Sequence, residues 1–278
     1  MKYNINSFKI YVNSLLLILV CSVISFCCKR IPYNLNACLE RGDLSCVKFV
    51  LSKGVSVNSR NQKGFTALMV ASNKGFGKIV EYLIENGASL NAQVNKSEDA
   101  GKCALTMATS AGHTEIVKLL LEKGADANLR DNSGWTALMH ASKNGKTGIM
   151  KFLISKMHNI NVKSYSSDTA LMIAVRNRKL EAVKELILHN AEIDCINSST
   201  RTPLMYAAIE GDIEIVKFLT QAGASVNKRD YFLKSAKDYA EQMGRGDVVK
   251  YFNSLSEINV DLPAYGTIIL DDTAMRNR

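Results

Sequence analysis

The sequence predicts an all-α repeat solenoid built from stacked helix–turn–helix units, and two recurring blocks predict it. The first is a decamer: "TALMVASNKG" from Thr66, "CALTMATSAG" from Cys103, "TALMHASKNG" from Thr136, "TALMIAVRNR" from Thr169 and "TPLMYAAIEG" from Thr202, at steps of 37, 33, 33 and 33 residues. The second runs in phase with it: "KIVEYLIENGASLN", "EIVKLLLEKGADAN" and "EIVKFLTQAGASVN". Stepping 33 back from Thr66 gives "YNLNACLERG" at Tyr33, and stepping 33 forward from Thr202 gives "SAKDYAEQMG" at Ser235. Seven units then run from about Tyr33 to Ser256. Three prolines and 7% aromatic residues argue against a disordered chain and against a β-sandwich.

One unit is read in chain order. Thr136 caps a first helix, its hydroxyl accepting a backbone N–H of the opening turn. Pro203 follows the equivalent Thr202 at the first helical position, where a missing N–H costs nothing. Leu138 and Ala141 share one face at helical spacing, and Gly145 stops this short helix. A second helix starts near Thr147 with Ile149, Met150, Leu153 and Ile154 as its apolar stripe. Gly124 follows the second helix of the neighbouring unit, at a position suited to left-handed backbone. "ADANLRDNSGW" then supplies turn-formers around Asn128, Asp131 and Gly134. A lone unit cannot bury both stripes, whereas a stack can. Small residues at Ala71, Ala108, Ala141, Ala174 and Ala207 let neighbouring pairs approach closely.

With these blocks in hand, the chain resembles the ankyrin-repeat family, whose 33-residue unit carries T-P-L-H-x-A, then I-V-x-x-L-L and G-A-x-x-N. The resemblance covers about four-fifths of the chain. It implies L-shaped units, β-hairpin fingers, a curved groove lined by finger tips and first helices, and protein binding without chemistry. Departures are specific. The histidine of T-P-L-H is Met69, Met139, Met172 or Met205, or else Thr106, so its polar bridge is expected to be absent or replaced by packing. Met157 and His158 stand where glycine and alanine belong, Asn190 holds the same glycine position one unit later, and Arg178 replaces a mid-unit glycine. Units four and five are therefore expected to be the least regular. The four extra residues between Thr66 and Cys103 are placed in a longer finger near Val94 to Gly101.

Around the repeats (residues 31–256, units starting near 33, 66, 103, 136, 169, 202 and 235) lie an N-terminal segment, 1–30, and a tail, 257–278. "LLLILVCSVISFCCKR" has no polar face and precedes the first unit. Its apolar core, 15–28, fits the length of a signal peptide's centre and falls short of the roughly 20 residues of a spanning helix. "VISFC" resembles a loose bacterial lipoprotein box. The segment is therefore read as an export signal with lipidation at Cys27 or Cys28, with an uncleaved anchor as the second reading. Lys29 and Arg30 oppose easy translocation. The expected location is a bacterial-type cell envelope, exported or membrane-anchored at the periplasmic face or cell surface, ahead of secretion. Membrane contact is expected through this segment. Pro263 and Gly266 break any repeat in the tail.

Composition excludes several classes. Net charge is +9, without a block of five or six like charges, and a dedicated nucleic-acid binder carries a denser basic stripe. The isolated spacing of Cys38, Cys46, Cys103 and Cys195 suits small buried hydrophobes rather than a zinc or redox motif. The histidines are scattered, His113 being read as a structural polar contact, and no nucleophile elbow or phosphate loop is present. No cofactor, no metal and no catalytic residue is assigned, and the expected state is a monomer.

The resemblance places partner contacts at Lys63, Phe65, Asn73 and Lys74 in the second unit and at Lys102 in the third. Trp135, Lys143 and Asn144 follow in the fourth, and Tyr165, Asp168, Arg176 and Asn177 in the fifth. Arg201, Ile209 and Glu210, then Tyr231, Phe232 and Lys234, complete the set. Aromatic side chains beside Lys and Arg suit an interface hot spot. Trp135 and Arg176 are expected at its centre, facing a protein of acidic or mixed surface, although Phe65 and Trp135 are equally suited to packing between fingers. The functional expectation is a non-catalytic protein-interaction scaffold. The alternatives are a membrane-tethered regulator or protector of an enzyme, and a secreted effector that engages host proteins.

Overall fold

The computed structural model describes residues 35–96 and 98–257. Cys27 and Cys28, the apolar N-terminal stretch and the tail beyond 257 lie outside them. Among the described residues fourteen helices form seven antiparallel pairs: α1 Leu35–Arg41 with α2 Leu44–Ser52, α3 Ala67–Lys74 with α4 Gly77–Glu85, α5 Ala104–Ala111 with α6 Thr114–Glu122, α7 Ala137–Asn144 with α8 Thr147–Ile154, α9 Ala170–Arg176 with α10 Leu180–Leu188, α11 Pro203–Glu210 with α12 Ile213–Gln221, and α13 Ala236–Gln242 with α14 Gly246–Glu257. First helices pack on neighbouring first helices and second helices on second helices, which makes the molecule an all-α repeat solenoid. Among the described residues the fingers are hydrogen-bonded turns with one isolated bridge, Arg60 to Thr66, and no strand ladder. No helix among them is long and apolar enough to cross a membrane.

The core is one continuous cluster along the stack. Leu138, Met139 and Ala141 of α7 and Ile149, Met150 and Leu153 of α8 are all buried. A large aliphatic side chain taken fully out of water contributes about 1.5–3 kcal/mol, so these stripes outweigh the poor intrinsic stability of helices only two turns long. The alanines at 71, 108, 141, 174 and 207 are fully buried. With only a methyl group there, backbones of successive units lie close.

Caps set the helix starts. The hydroxyls of Thr66, Thr136, Thr169 and Thr202 each accept the N–H of a methionine three residues on, at 3.3–3.4 Å. The bridge expected to be lost with the family histidine is partly rebuilt. Thr66 and Thr202 donate their N–H groups to the sulfurs of Met69 and Met205 at 3.3 and 3.4 Å, a weak acceptor. Cys103 donates its N–H to the Thr106 hydroxyl at 2.8 Å. The extra residues of the second unit form a closed loop in which Val94 N–H meets Lys102 O and Gly101 N–H meets Val94 O, both at 2.8 Å.

One cysteine expectation is corrected. Cys38 and Cys46 are buried, but they form a disulfide, with Cα atoms 5.4 Å apart. They are eight apart in sequence, and the turn at Gly42 and Asp43 folds α2 back on α1, which brings the two side chains together. Cys103 and Cys195 are free and buried. Burial pushes the Cys195 thiol up to about 11, so it stays protonated and inert at neutral pH.

Candidate partner-binding surface

Each finger tip is a small rigid loop built on one pattern. Asn61, Asp131, Ser164, Asn197 and Asp230 open five of them, and the backbone N–H of each meets the carbonyl four residues on. Where the opening residue is Asn or Asp, its side-chain oxygen also accepts two amides of the loop. Asp131 takes Ser133 N–H at 2.8 Å and Trp135 N–H at 2.9 Å, and Asn61, Asn197 and Asp230 do the same in their own loops. The fourth loop residue is left-handed: Gly64 and Gly134 in two fingers, Ser167, Thr200 and Leu233 in three others. Neighbouring fingers are joined by backbone bonds, among them Asn132 N–H to Ala100 O at 3.2 Å and Tyr165 N–H to Ser133 O at 3.1 Å.

In three fingers the opening residue also reaches the first helix of its own unit, nine residues on. Asp131 meets His140 Nε2 at 2.9 Å, Asn197 donates to the Tyr206 hydroxyl at 2.7 Å, and the Tyr239 hydroxyl donates to Asp230. In the fifth unit both partners change together, to Ser164 and Ile173, and no such bond is needed. Burial works to raise the Asp131 carboxyl, but the hydrogen bonds from His140, Trp135 and Ser133 outweigh it and hold the group below the ordinary carboxylate range. Asp230 is lowered in the same way, against burial, by Tyr239, Lys234, Phe232 and Arg201. Burial and the Asp230 carboxylate raise the Tyr239 phenol. These groups fix the fingers to the helices and are not free for chemistry. Among the described residues no three His, Cys, Asp or Glu side chains are grouped to hold a metal ion.

The expected contact residues fall into three sets. Tyr165, Tyr231 and Phe232 project from finger tips and are 70%, 78% and 60% exposed. Lys63, Asn73, Lys143, Asn144 and Arg176 are also exposed. The second set is partly used inside the fold. Phe65 and Trp135 are half-buried against the core, and the Trp135 ring lies 5.2 Å from His140 with Lys143 Nζ 5.8 Å away on it. Lys74 pairs with Glu40 at 2.7 Å and Lys102 with Asp99 at 2.6 Å. Arg201 sits on the Tyr239 ring and pairs with Asp230, Lys234 lies near the same ring, and Asn177 donates to Ile173 O. Ile209 and Glu210 are half-buried at the end of α11. The third set is Asp168 alone. It is 5% exposed, with one oxygen taking Arg176 Nη1 and the other Asn197 Nδ2, both at 3.0 Å. Asp168 is thus a buried brace between two fingers rather than a contact, and it holds Arg176 over the Tyr206 ring. His113 makes the structural contact expected of it, with the Asn73 carbonyl at 3.0 Å.

These loops, caps and stacked pairs agree with a family comparison in which the model described as "Ankyrin repeats (3 copies)" matches residues 15–94, 91–164 and 157–230. The chain belongs to the ankyrin-repeat family. Among curated proteins, this ankyrin-repeat protein is similar to protein phosphatase 1 regulatory subunit 27 of Homo sapiens and of Mus musculus, in each case 45% identical over 58 residues. The matched stretch is 21% of the chain and spans 38% of those relatives' length.

Sequence reasoning missed the brace residues Asp131, Asn197 and Asp230. Their signal was present: an acid or amide recurs at the 33-residue step, with His140, Tyr206 and Tyr239 nine residues later.

Proposed function

We propose that this ankyrin-repeat protein is a non-catalytic scaffold that binds another protein along its finger tips and first helices, and that its N-terminal segment displays it at the cell envelope. The exposure of Tyr165, Tyr231 and Phe232 carries the reading. These are large rings on loops held by internal hydrogen bonds, so little conformational freedom is lost when a partner covers them. The outward aromatics and the surrounding Lys and Arg suit a partner with acidic and apolar surface. Support for display outside the cytoplasm comes from the apolar stretch before the repeats and from the Cys38–Cys46 disulfide, a bond that persists in oxidising compartments. Lipidation at Cys27 or Cys28 belongs to the same proposal.

The test has two arms. Replacing Tyr165, Tyr231 and Phe232 together with alanine abolishes co-purification of the native partner while leaving the melting curve unchanged. Retained co-purification overturns the surface assignment. Mass and N-terminal sequencing of the mature protein detect cleavage or a diacylglycerol-cysteine, whereas an intact, unmodified Met1 chain recovered in a soluble fraction overturns the tether.

A second reading, regulation or protection of an enzyme, is favoured by the stretch similar to a phosphatase regulatory subunit. It uses the same surface, with an enzyme as the partner.

A further inference from the structure

The ends of α5, α7 and α9, with the turns that follow α7 and α9, border an open, shallow hollow of about 420 Å³ lined by Ser110, Lys143, Asn144, Lys146, Asn177 and Lys179. Its charge is of one sign. The nearby acids are engaged elsewhere: Asp168 with Arg176, Glu181 with Lys184, Glu185 with Lys151 and Asp212 with Arg178. That leaves Lys143, Lys146 and Lys179 with no carboxylate partner among the described residues.

Two of these lysines lie against the turn of the unit before. In successive units the residue after the mid-unit turn lies over the turn of the unit before. A Cβ built at Gly112 would lie 3.2 Å from Lys146 Cε, and one at Gly145 would lie 3.1 Å from Lys179 Cδ. Both lysines are exposed, with their aliphatic stems resting along the glycine turns. The same ladder position holds Phe76, His113, Asp212 and Arg245 in other units, so adjacent lysines mark this part of the stack alone. Ser110 adds a hydroxyl oxygen that is shielded from solvent and has no hydrogen-bond partner. Asn144 and Asn177 each donate one amide N–H, to Ser110 O and Ile173 O respectively. Lys143 also reaches back to the Trp135 ring, 5.8 Å away, so the hollow adjoins the finger of the fourth unit.

We propose that this hollow is an anion pocket that receives a carboxylate- or phosphate-bearing side chain from an acidic segment of the protein partner. The proposal rests on the scaffold reading above and deepens it by naming the chemistry recognised. An oxyanion seated there meets the ammonium groups of Lys143, Lys146 and Lys179, none of which has a carboxylate partner among the described residues, through charge-assisted bonds that weaken with added salt.

The test uses the full chain and two fluorescein-labelled probes, a hexaglutamate peptide and a peptide with a single phosphoserine among neutral residues. Wild type binds at least one of them, and binding weakens with added salt. The variant Lys143→Glu, Lys146→Glu, Lys179→Glu binds roughly tenfold or more weakly, as loss of several charge contacts requires. A control of equal net charge, Lys123→Glu, Lys217→Glu, Lys250→Glu, changes affinity less than twofold. The tighter of the two probes tells carboxylate from phosphate. Equal loss in both variants, no binding by wild type, or retention only on phosphatidylglycerol vesicles overturns the pocket. Partner capture that depends on Tyr165, Tyr231 and Phe232 but ignores the triple lysine variant also overturns the pocket and leaves the scaffold reading standing. Unchanged melting of the variant guards against misfolding as the cause of any loss.

Discussion

In the fourth unit Met157 stands where a glycine closes the second helix in neighbouring units; in the fifth, Asn190 does. The fifth keeps the shape. Asn190 takes φ 62°, and Ala191 N–H still reaches back to Leu186 O at 2.9 Å, as Ala125 N–H does to Leu120 O after Gly124. The fourth lets it go. Helix α8 has eight residues where α6 and α10 have nine, Met157 N–H turns back only to Ile154 O at 3.2 Å, and His158 makes no bond to Leu153. Asparagine tolerates the left-handed region, while most side chains pay about 1–2 kcal/mol there. The mid-unit turns repeat the lesson. Arg178 accepts φ 55° and keeps Lys179 N–H on Ala174 O at 3.0 Å, matching Lys146 N–H on Ala141 O after Gly145. The stack thus imposes the turn from both sides, and a missing glycine either costs strain or costs a bond.

The comparison breaks first at Gly145. Gly145→Val puts a β-branched residue at φ 65°, with its Cβ against the Lys179 stem, and loses about 2 kcal/mol in urea denaturation. A loss as small as that of an exposed substitution contradicts the strain argument. Arg178→Gly relieves strain and gains about 1 kcal/mol by the same measurement; the exposed pair it gives up with Asp212, at 3.5 Å, offsets little. Met157→Gly lets the fourth unit close as the fifth does, for a gain of about 0.5 kcal/mol and new hydrogen-exchange protection of the His158 amide. Asn190→Gly gains a few tenths of a kcal/mol, within about 0.3.

The finger loops give a contrast that is silent at neutral pH. Asp131 is lowered in the fold, so its contribution is present above its ordinary value of 3.8 and is lost as pH falls through that value toward the folded one. The fifth finger carries Ser164 in that place and has nothing to titrate there. Urea midpoints followed from pH 6 to pH 3 (an interval of ordinary carboxylate titration) fall for wild type, and Asp131→Asn removes part of the slope. An unchanged slope contradicts a lowered Asp131 carboxyl.

Much of this was legible beforehand. The period fixed the helix pairs, the threonine caps and the places where glycine is missing, because each is a property of one residue in one unit. Arg178 and Asn190 marked the fifth unit as one expected to be irregular, yet both take left-handed backbone and keep its turns. The rest depends on pairs that the period does not label. Cys38 and Cys46 meet only because two helices fold back on each other. Asp168 carries the charge of a contact residue, yet it is buried by Asn197 from the next finger. Trp135, in the finger, leans onto His140 of the following helix, so the single tryptophan is a weaker guide to the surface than the more exposed Tyr165 and Tyr231. The lysine hollow is assembled from three units, none of which shows it alone.

The surface assignment is tested most directly by a photo-crosslinking amino acid placed in the full chain, in its native cells, at Tyr165 or Tyr231 on the fingers and at Phe152 or Leu188, which are exposed on second helices. The account predicts one shared adduct from both finger positions and none from the helix positions. An adduct from Phe152 or Leu188 with none from the fingers contradicts it.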